Sequence, residues 1–209
     1  MIRPDGFRGA AFGTSSEGDG RVDPVARAAM SATLGICGSW AFVSQVHGAR
    51  VVEARRSGTM GEADAIFTTR PDLPMAIGTA DCVPIIIEGP DVAAVVHAGW
   101  RGVVAGVVPA ALDAIAGSGA HAERAAIGPA IGSCCYEVGS ELADQFGDYV
   151  DRTTWGTLSI DLVAAVSDQL APLELWRADL CTYTTEGLHS FRGNRTTDRQ
   201  TAVAWLPKG

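Results

Sequence analysis

Histidine and positive charge are both scarce in this chain. Its 209 residues include four histidines, and 16 lysines and arginines stand against 24 acidic residues, for a formal charge of −8. An acidic chain without a basic, aromatic-rich run lacks the electrostatic footprint of a nucleic-acid binder. It also lacks ~18 consecutive apolar residues and a signal-like apolar start. We therefore expect a soluble, cytoplasmic protein that binds neither nucleic acid nor a membrane.

Cysteine is present, but in an odd number and widely scattered. A small secreted protein held by disulfides usually has an even number of cysteines in a shorter chain. We therefore expect reduced thiols. Separately, we expect a monomer or a homodimer. The five residues are Cys37, Cys82, Cys134, Cys135 and Cys181.

Short apolar runs alternate with helical patterns along the chain. Asp23 followed by proline predicts a helix start, Gly35 predicts its end, and residues 103–116 predict a further helix. A central antiparallel hairpin among these elements excludes a purely parallel sheet. The sequence predicts an α/β (α+β) fold in which helices pack on a mixed central β-sheet, within a single domain of residues 1–209.

The hairpin carries a thiol and an imidazole. Two apolar runs, residues 84–88 and 92–96, are separated by a turn around residues 89–90, and the second run ends at His97. A symmetric loop of two or four residues predicts that Cys82 lies directly opposite His97. Opposed residues have Cβ atoms roughly 4.5–5.5 Å apart on one side of a sheet. The two side chains are therefore expected to meet at the open end of the hairpin.

A thiol beside an imidazole supports two kinds of chemistry. Cys82 and His97, with His47 as the third ligand, match a catalytic zinc site with three protein ligands and an open position. Alternatively, Cys82 is a thiolate nucleophile and His97 its base. Sequence spacing does not separate these two readings, nor does it exclude ordinary buried polar residues.

Two further features lie outside this trio. Arg101 begins the helical stretch after His97, where a guanidinium suits a phosphate, although a surface arginine or a salt bridge fits the sequence as well. Cys134 and Cys135 are adjacent in a glycine-rich loop. Because a disulfide between neighbouring residues is strained, we interpret them as two loop thiols, one of them turned inward.

Several short motifs follow one another from about Trp40 onwards. Together they resemble the YfiH-type family, known as multicopper polyphenol oxidase or laccase-domain proteins and more recently treated as purine nucleoside phosphorylases. The motifs are QVHG at 45–48, ADA at 63–65, ADCVP at 80–84, HAGWRG at 97–102, IGPAIG at 127–132, CYEVG at 135–139 and CTYT at 181–184.

The resemblance implies a YfiH-like fold, a zinc site made by His47, Cys82 and His97, and nucleoside and phosphate as ligands. It also implies phosphorolysis of adenosine, inosine, guanosine and methylthioadenosine, together with hydrolytic deamination of adenosine. We expect catalytic roles for Cys82, His97 and Arg101, and substrate binding by Gln45, Arg101 and Cys135. Residues 188–193 read LHSFRG where the family tends to have FFSYRR, a departure that leaves open the substrate preference and the contribution of this loop to a phosphate site.

Residue counts test the oxidase name of the family. A multicopper oxidase holds its three to four coppers with about ten histidines, and this chain has four. Zinc is therefore expected in preference to copper. The rival hypotheses are a cysteine hydrolase or amidase built on Cys82 and His97, with a role in peptidoglycan precursor quality control, and a non-catalytic binding domain.

Overall fold

A computed structural model describes residues 1–208 as two packed β-sheets with helices on their outer faces. The strands are β1 (Ala10–Phe12), β2 (Ala41–Ser44), β3 (Val51–Glu53), β4 (Gly58–Glu62), β5 (Ala65–Thr68), β6 (Met75–Thr79), β7 (Val83–Glu88), β8 (Ala93–Ala98), β9 (Arg124–Ile127), β10 (Val150–Arg152), β11 (Leu158–Ile160), β12 (Glu174–Arg177) and β13 (Gln200–Ala204). The helices are α1 (Pro24–Leu34), α2 (Trp100–Val104), α3 (Val107–Gly117), α4 (Ser140–Ala143), α5 (Leu162–Gln169) and α6 (Phe191–Asn194).

The strands divide between two mixed sheets. The first sheet has the order β1-β13-β6-β2-β4 and the second has the order β12-β9-β7-β8-β5-β3, while β10 and β11 form a separate antiparallel pair. Parallel and antiparallel neighbours occur in both large sheets. The predicted mixed α/β fold is therefore confirmed, with the strands divided between two large sheets. Among the described residues, none of the helices combines the length and apolarity that crossing a bilayer requires.

Side-chain alternation in β7 explains the layering. Ile85 and Ile87 belong to the core under α2, α3 and α5, whereas Ile86 belongs to the core between the two sheets. Because successive strand residues point to opposite faces, a continuous apolar run such as residues 83–87 must be covered on both sides. Helix α1 covers the outer face of the first sheet, where Met30 packs with Trp40.

Helix boundaries follow the predicted signals at α1 but not at α3. Asp23 caps α1 by accepting a hydrogen bond from the Val25 N–H, and Gly35 ends it at φ 68°. The single helix predicted over residues 103–116 is instead two helices, α2 and α3. The break falls at Gly106, which has φ 81°, and Pro109 lies in the first turn of α3, where no backbone N–H is needed.

The predicted register of the β7–β8 hairpin is wrong by two residues. His97 pairs with Pro84, not with Cys82, because the connecting loop comprises residues 89–92, closed by the bond from the Gly89 N–H to the Val92 carbonyl. Cys82 directly precedes β7. A shift of two residues preserves which face a side chain occupies, since the pleat repeats every two residues. The thiol and the imidazole therefore still approach each other.

The chain crosses between the sheets at one common edge. Strands β2, β4 and β6 are neighbours that run parallel, so their C-terminal ends lie at the same edge of the first sheet. From there they lead into β3, β5 and β7 of the second sheet, through residues 45–50, 63–64 and 80–82. Strand β8 is antiparallel to β5 and β7, so its C-terminal end reaches this edge too. We call these segments the crossing edge.

Candidate metal centre

Three possible metal ligands converge at the crossing edge. The ligand atoms of His47, Cys82 and His97 all lie within 4.8 Å of one another. The Cys82 sulfur is 3.9 Å from His47 Nε2, and the two imidazole rings meet edge to face with centroids 4.8 Å apart. The structure thus brings together the trio expected from the sequence, as a group that can hold a metal ion.

A buried carboxylate organises this cluster. Asp64 is fully buried and accepts a hydrogen bond of 2.8 Å from His97 Nδ1. It also accepts backbone N–H bonds from His47 at 2.9 Å and Gly48 at 2.7 Å. With the His97 proton held at Nδ1, Nε2 is left as the ligand atom, an arrangement typical of metal-binding histidines.

Asp64 is a functional residue that is not among the site residues predicted from the sequence. Its signals in the sequence are its place in the ADA motif at 63–65 and its position directly before the buried strand β5. A charge at such a position needs compensating partners. Its partners lie 16 to 33 residues away, which spacing alone does not reveal.

Asp81 fixes the segment that carries Cys82. Its backbone is left-handed at φ 93°, a conformation that non-glycine residues seldom adopt. Its carboxylate accepts hydrogen bonds of 2.7 Å from the Thr182 hydroxyl and from the Arg192 backbone N–H. These bonds offset the cost of the backbone conformation and tie the Cys82 segment to residues 182–192.

Mutual interactions shift the ionisation of Cys82 and His97. Burial raises the pKa of the Cys82 thiol, but hydrogen bonds and charge from His47 and His97 outweigh it and lower the pKa to about 6. Burial lowers the pKa of His97, but the hydrogen bonds to Asp64 and Cys82 and their charges raise it to about 9. Near neutral pH, the metal-free pair is therefore a thiolate beside an imidazolium, and binding of a metal ion would release the proton from His97 Nε2.

The donor set fits a catalytic metal. One thiolate and two imidazoles match the three-ligand sites in which zinc keeps a fourth position for water or substrate. The second imidazole distinguishes this arrangement from a simple cysteine–histidine pair, since a nucleophile needs only one base. The cluster also opens onto a cleft, because all three side chains line it.

Gly99 forms the closely packed side of the cluster. A Cβ atom at this position would lie 2.9 Å from His47 Cδ2 and 3.0 Å from the Cys82 sulfur. The backbone itself is ordinary, with φ −76°. Glycine is therefore required here by the close approach of two ligands rather than by backbone conformation.

Replacing Gly99 by alanine is expected to displace His47 or Cys82 and to weaken metal binding about 10- to 100-fold, as removal of supporting groups does at other metal sites. Titration of metal-free protein with zinc measures the change. Gly117→Ala is the matched control, because nothing lies within 4 Å of a Cβ added there. Equal affinity in both variants would contradict this packing role.

The cleft above the cluster has a volume of about 560 Å³ and is rich in arginine. Three of its four arginines form no salt bridge with any carboxylate of residues 1–208. The exception is Arg21, which pairs with Asp19. Asp81 is the acidic residue of the lining. The arginines and the aromatic residues that line the cleft with them are Arg21, Arg101, Arg192, Arg199, Trp100, Tyr136 and Phe191.

Two of these arginines are held over aromatic rings. The Arg101 guanidinium lies 4.3 Å from the Trp100 ring centroid, and that of Arg192 lies 4.8 Å from the Tyr136 centroid. Arg192 also donates a hydrogen bond to the Glu137 carbonyl. Cation–π contacts orient a guanidinium without neutralising its charge. Both charges therefore remain available to an anionic ligand.

The remaining predicted substrate residues are placed differently. Gln45 lines the cleft, but its amide is engaged with the Gly78 backbone and with Arg21 Nη1, at 2.7 Å. It therefore positions Arg21. The structure does not bring Cys135 to this cleft; it is buried with its sulfur 3.2 Å from that of Cys134. The neighbouring Tyr136 faces the cleft in its place.

The fold and the site together define a class of protein: a two-histidine, one-cysteine centre lies at the crossing edge of two mixed sheets, beneath an arginine-lined cleft. The family model described as multi-copper polyphenol oxidoreductase laccase matches residues 7–207. The chain belongs to this family.

The chain is also similar to named relatives, and its fold to that of a solved structure. The chain is 38% identical over 183 residues to a Streptomyces griseus protein named purine nucleoside phosphorylase ORF3, covering 79% of this chain and 73% of that one. It is 36% identical over 201 residues to a Deinococcus radiodurans protein named purine nucleoside phosphorylase, covering 88% and 78%. Its fold is similar to that of Bacillus licheniformis YfiH, with a TM-score of 0.84 at 24% identity over 94% of this chain and 92% of that one.

Proposed function

We propose that this protein is a zinc-dependent purine nucleoside phosphorylase that also deaminates adenosine. The observation that carries the proposal is the two-histidine, one-cysteine cluster beneath a cleft whose arginines are mostly not neutralised by carboxylates. Relatives named purine nucleoside phosphorylase support the same activity. The proposed substrates are adenosine, inosine, guanosine and methylthioadenosine.

The arginines of the cleft suit inorganic phosphate. Arg101 is exposed, bears no salt bridge within residues 1–208, and lies four residues after the ligand His97. A guanidinium presents several N–H donors that match phosphate oxygens. In an otherwise acidic protein, local positive charge of this kind also attracts an anion to the cleft. Arg101 is the residue that we assign to phosphate.

The aromatic residues of the cleft suit a purine. Trp100, Tyr136 and Phe191 line the same space as the arginines. A planar base stacks on aromatic faces, and pockets for small ligands typically enclose about 300–1,000 Å³. The volume of about 560 Å³ lies within this range and accommodates a nucleoside together with phosphate.

Zinc would be held by His47, Cys82 and His97, and when bound it supplies a Lewis acid facing the cleft. The residues of the chain do the remaining work. Asp64 holds the proton of His97 at Nδ1, Arg101 binds phosphate, and the aromatic lining orients the base and excludes water. We prefer zinc to copper because both other histidines, His121 and His189, lie outside the cleft lining.

A cysteine hydrolase remains the second candidate. The observation that favours it is the low pKa of Cys82, about 6, beside His97. A hydrolase of this kind needs no metal, so its activity would survive chelation.

We further propose that the protein works in the cytoplasm, because all five of its cysteines are free thiols and a thiolate centre needs a reducing environment.

Product analysis with adenosine tests the proposal. With phosphate, we expect adenine and ribose 1-phosphate; without phosphate, we expect inosine from deamination. Arg101→Gln should raise the KM for phosphate about 10- to 100-fold, since a hydrogen bond to a charged group contributes about 1.5–3 kcal/mol. Deamination should change less, because it uses no phosphate.

Arg55→Gln is the control, an exposed arginine between β3 and β4 that pairs with Glu53. An unchanged KM for phosphate in Arg101→Gln would remove Arg101 from the phosphate site. Absence of product from all four nucleosides, with stoichiometric zinc bound, would refute the proposed activity.

A further inference from the structure

A second cluster of sulfur atoms lies away from the metal centre. The thiols of Cys134, Cys135 and Cys181 lie within 4.8 Å of one another. The Cys134 sulfur is 3.2 Å from that of Cys135 and 3.7 Å from that of Cys181. Cys134 and Cys181 line a separate cleft of about 210 Å³, which shares no lining residue with the first within the described chain.

We propose that these three thiols form a second cation site, which binds a thiophilic closed-shell cation, Zn(II) or Cu(I), through three thiolates. Soft thiolate ligands select these metals over magnesium or calcium. The proposal does not depend on nucleoside turnover, so the two can fail separately.

The sulfur spacing fits one shared ion. Zinc–sulfur bonds are about 2.3 Å long, which places the sulfurs of a tetrahedral site about 3.8 Å apart and those of a trigonal site about 4.0 Å apart. The observed separations, from 3.2 Å up to at most 4.8 Å, bracket these values. Changes of up to about 1 Å in the sulfur–sulfur separations, by small rotamer adjustments, would bring all three sulfurs to bonding distance of a common centre.

The ionisation of the three thiols depends on a bound cation. The Cys181 sulfur accepts a hydrogen bond from the Gly132 N–H at 3.3 Å, and, although burial raises its pKa, backbone N–H groups lower it overall. Burial raises the pKa of both Cys134 and Cys135, and the neighbouring thiols raise that of Cys135 further. Three adjacent thiolates repel one another, so a cation is needed to hold all of them ionised. Each thiol that ligates releases its proton to solvent as its metal–sulfur bond forms, and no electron is transferred.

The cluster also joins two loops that contribute to the first cleft. Cys135 precedes Tyr136 of the arginine-lined cleft, and Cys181 precedes Thr182, whose hydroxyl holds Asp81. The two loops meet through the bond from the Thr182 N–H to the Ala130 carbonyl. An ion across the three sulfurs would fasten these loops together. Its binding is therefore expected to raise the melting temperature.

Metal titration of variants under reducing conditions tests the proposal. Cys82→Ala removes a ligand of the first centre, so any thiolate-bound metal that remains reports on the second site. We expect this variant to bind about one equivalent of Zn(II) or of Cu(I), in separate titrations. Elemental analysis counts the metal, sulfur-to-metal charge-transfer absorption identifies thiolate ligation, and the tighter of the two titrations identifies the cation.

Adding Cys134→Ser and Cys181→Ser to Cys82→Ala should abolish that equivalent, whereas adding Cys37→Ser should not. If Cys82→Ala does not fold, the same pair of serines in the wild-type background should remove one of about two equivalents. No metal bound beyond the first centre would overturn the proposal. Undiminished metal binding after Cys134→Ser and Cys181→Ser are added would also overturn it. So would a Cys134–Cys181 disulfide that persists under reducing conditions.

Discussion

Cys82→Ala is expected to abolish metal binding at the candidate centre and to reduce nucleoside turnover about 10³-fold. The sulfur is the one anionic ligand of the cluster, and its removal leaves two imidazoles on separate segments. A metal ion contributes several kcal/mol to the stabilisation of a transition state, and each 1.36 kcal/mol is a factor of ten in rate. Bound metal and kcat should fall together.

Cys37→Ala provides the control, since this thiol lies between α1 and β2, outside both groups of possible metal ligands. Chelation of the wild-type protein separates the metal and nucleophile hypotheses. Under the metal hypothesis, chelation stops turnover, zinc restores it, and bound zinc protects Cys82 from alkylation. Full turnover by metal-free wild-type protein, with loss only in Cys82→Ala, would instead establish the cysteine hydrolase chemistry.

Asp64→Asn is expected to weaken both the fold and the metal centre. The buried carboxylate bonds His97 Nδ1 and backbone N–H groups of residues 46–48, and an amide of the same size cannot accept all of these bonds. Breaking a buried, charge-assisted set of this kind costs about 3 kcal/mol, or about 6–12 °C in melting temperature for a chain of this size. Metal affinity should fall about 10- to 100-fold.

Asp113→Asn is the matched control, an exposed aspartate on α3 whose loss should leave both quantities unchanged. The pH dependence gives a further readout. Although burial raises the pKa of Asp64, its bonds to His97 and to the backbone lower it overall. A carboxylate with a lowered folded-state pKa stabilises the protein above its unfolded pKa, about 3.9, and loses that contribution as the pH falls.

The stability difference between wild-type and Asp64→Asn protein, both freed of metal, should therefore be largest near neutral pH and narrow below about pH 4. A stability difference that stays constant between pH 7 and pH 3 would show that the negative charge of Asp64 does not contribute to stability.

The ligand trio could be predicted from the sequence because an error of two residues in strand register does not change the face on which a side chain lies. The hairpin register was misplaced by two residues, yet Cys82 and His97 still meet, since a shift of two leaves each side chain on its own face. The split of the long helix could also have been found, because Gly106 followed closely by Pro109 marks a helix end and a new first turn.

The partners of the trio could not be anticipated, because they depend on contacts between distant segments. Asp64 reaches His97 across 33 residues, and Asp81 reaches Thr182 across 101. Cys135 shows the same limit at short range. Its motif pointed to the substrate site, but the loop turns its side chain toward Cys134 and leaves Tyr136 facing the cleft. Periodicity does not predict side-chain direction in an irregular loop.

Because the metal centre lies at the crossing edge, its ligand distances depend on how the two sheets are aligned. His47 and Cys82 lie on segments that leave the first sheet, while His97 lies on a strand of the second. Any sliding of one sheet over the other would change the distances between these ligands. Because linkage is reciprocal, whatever shifts that alignment changes the affinity for the ion, and the bound ion resists the shift to the same degree.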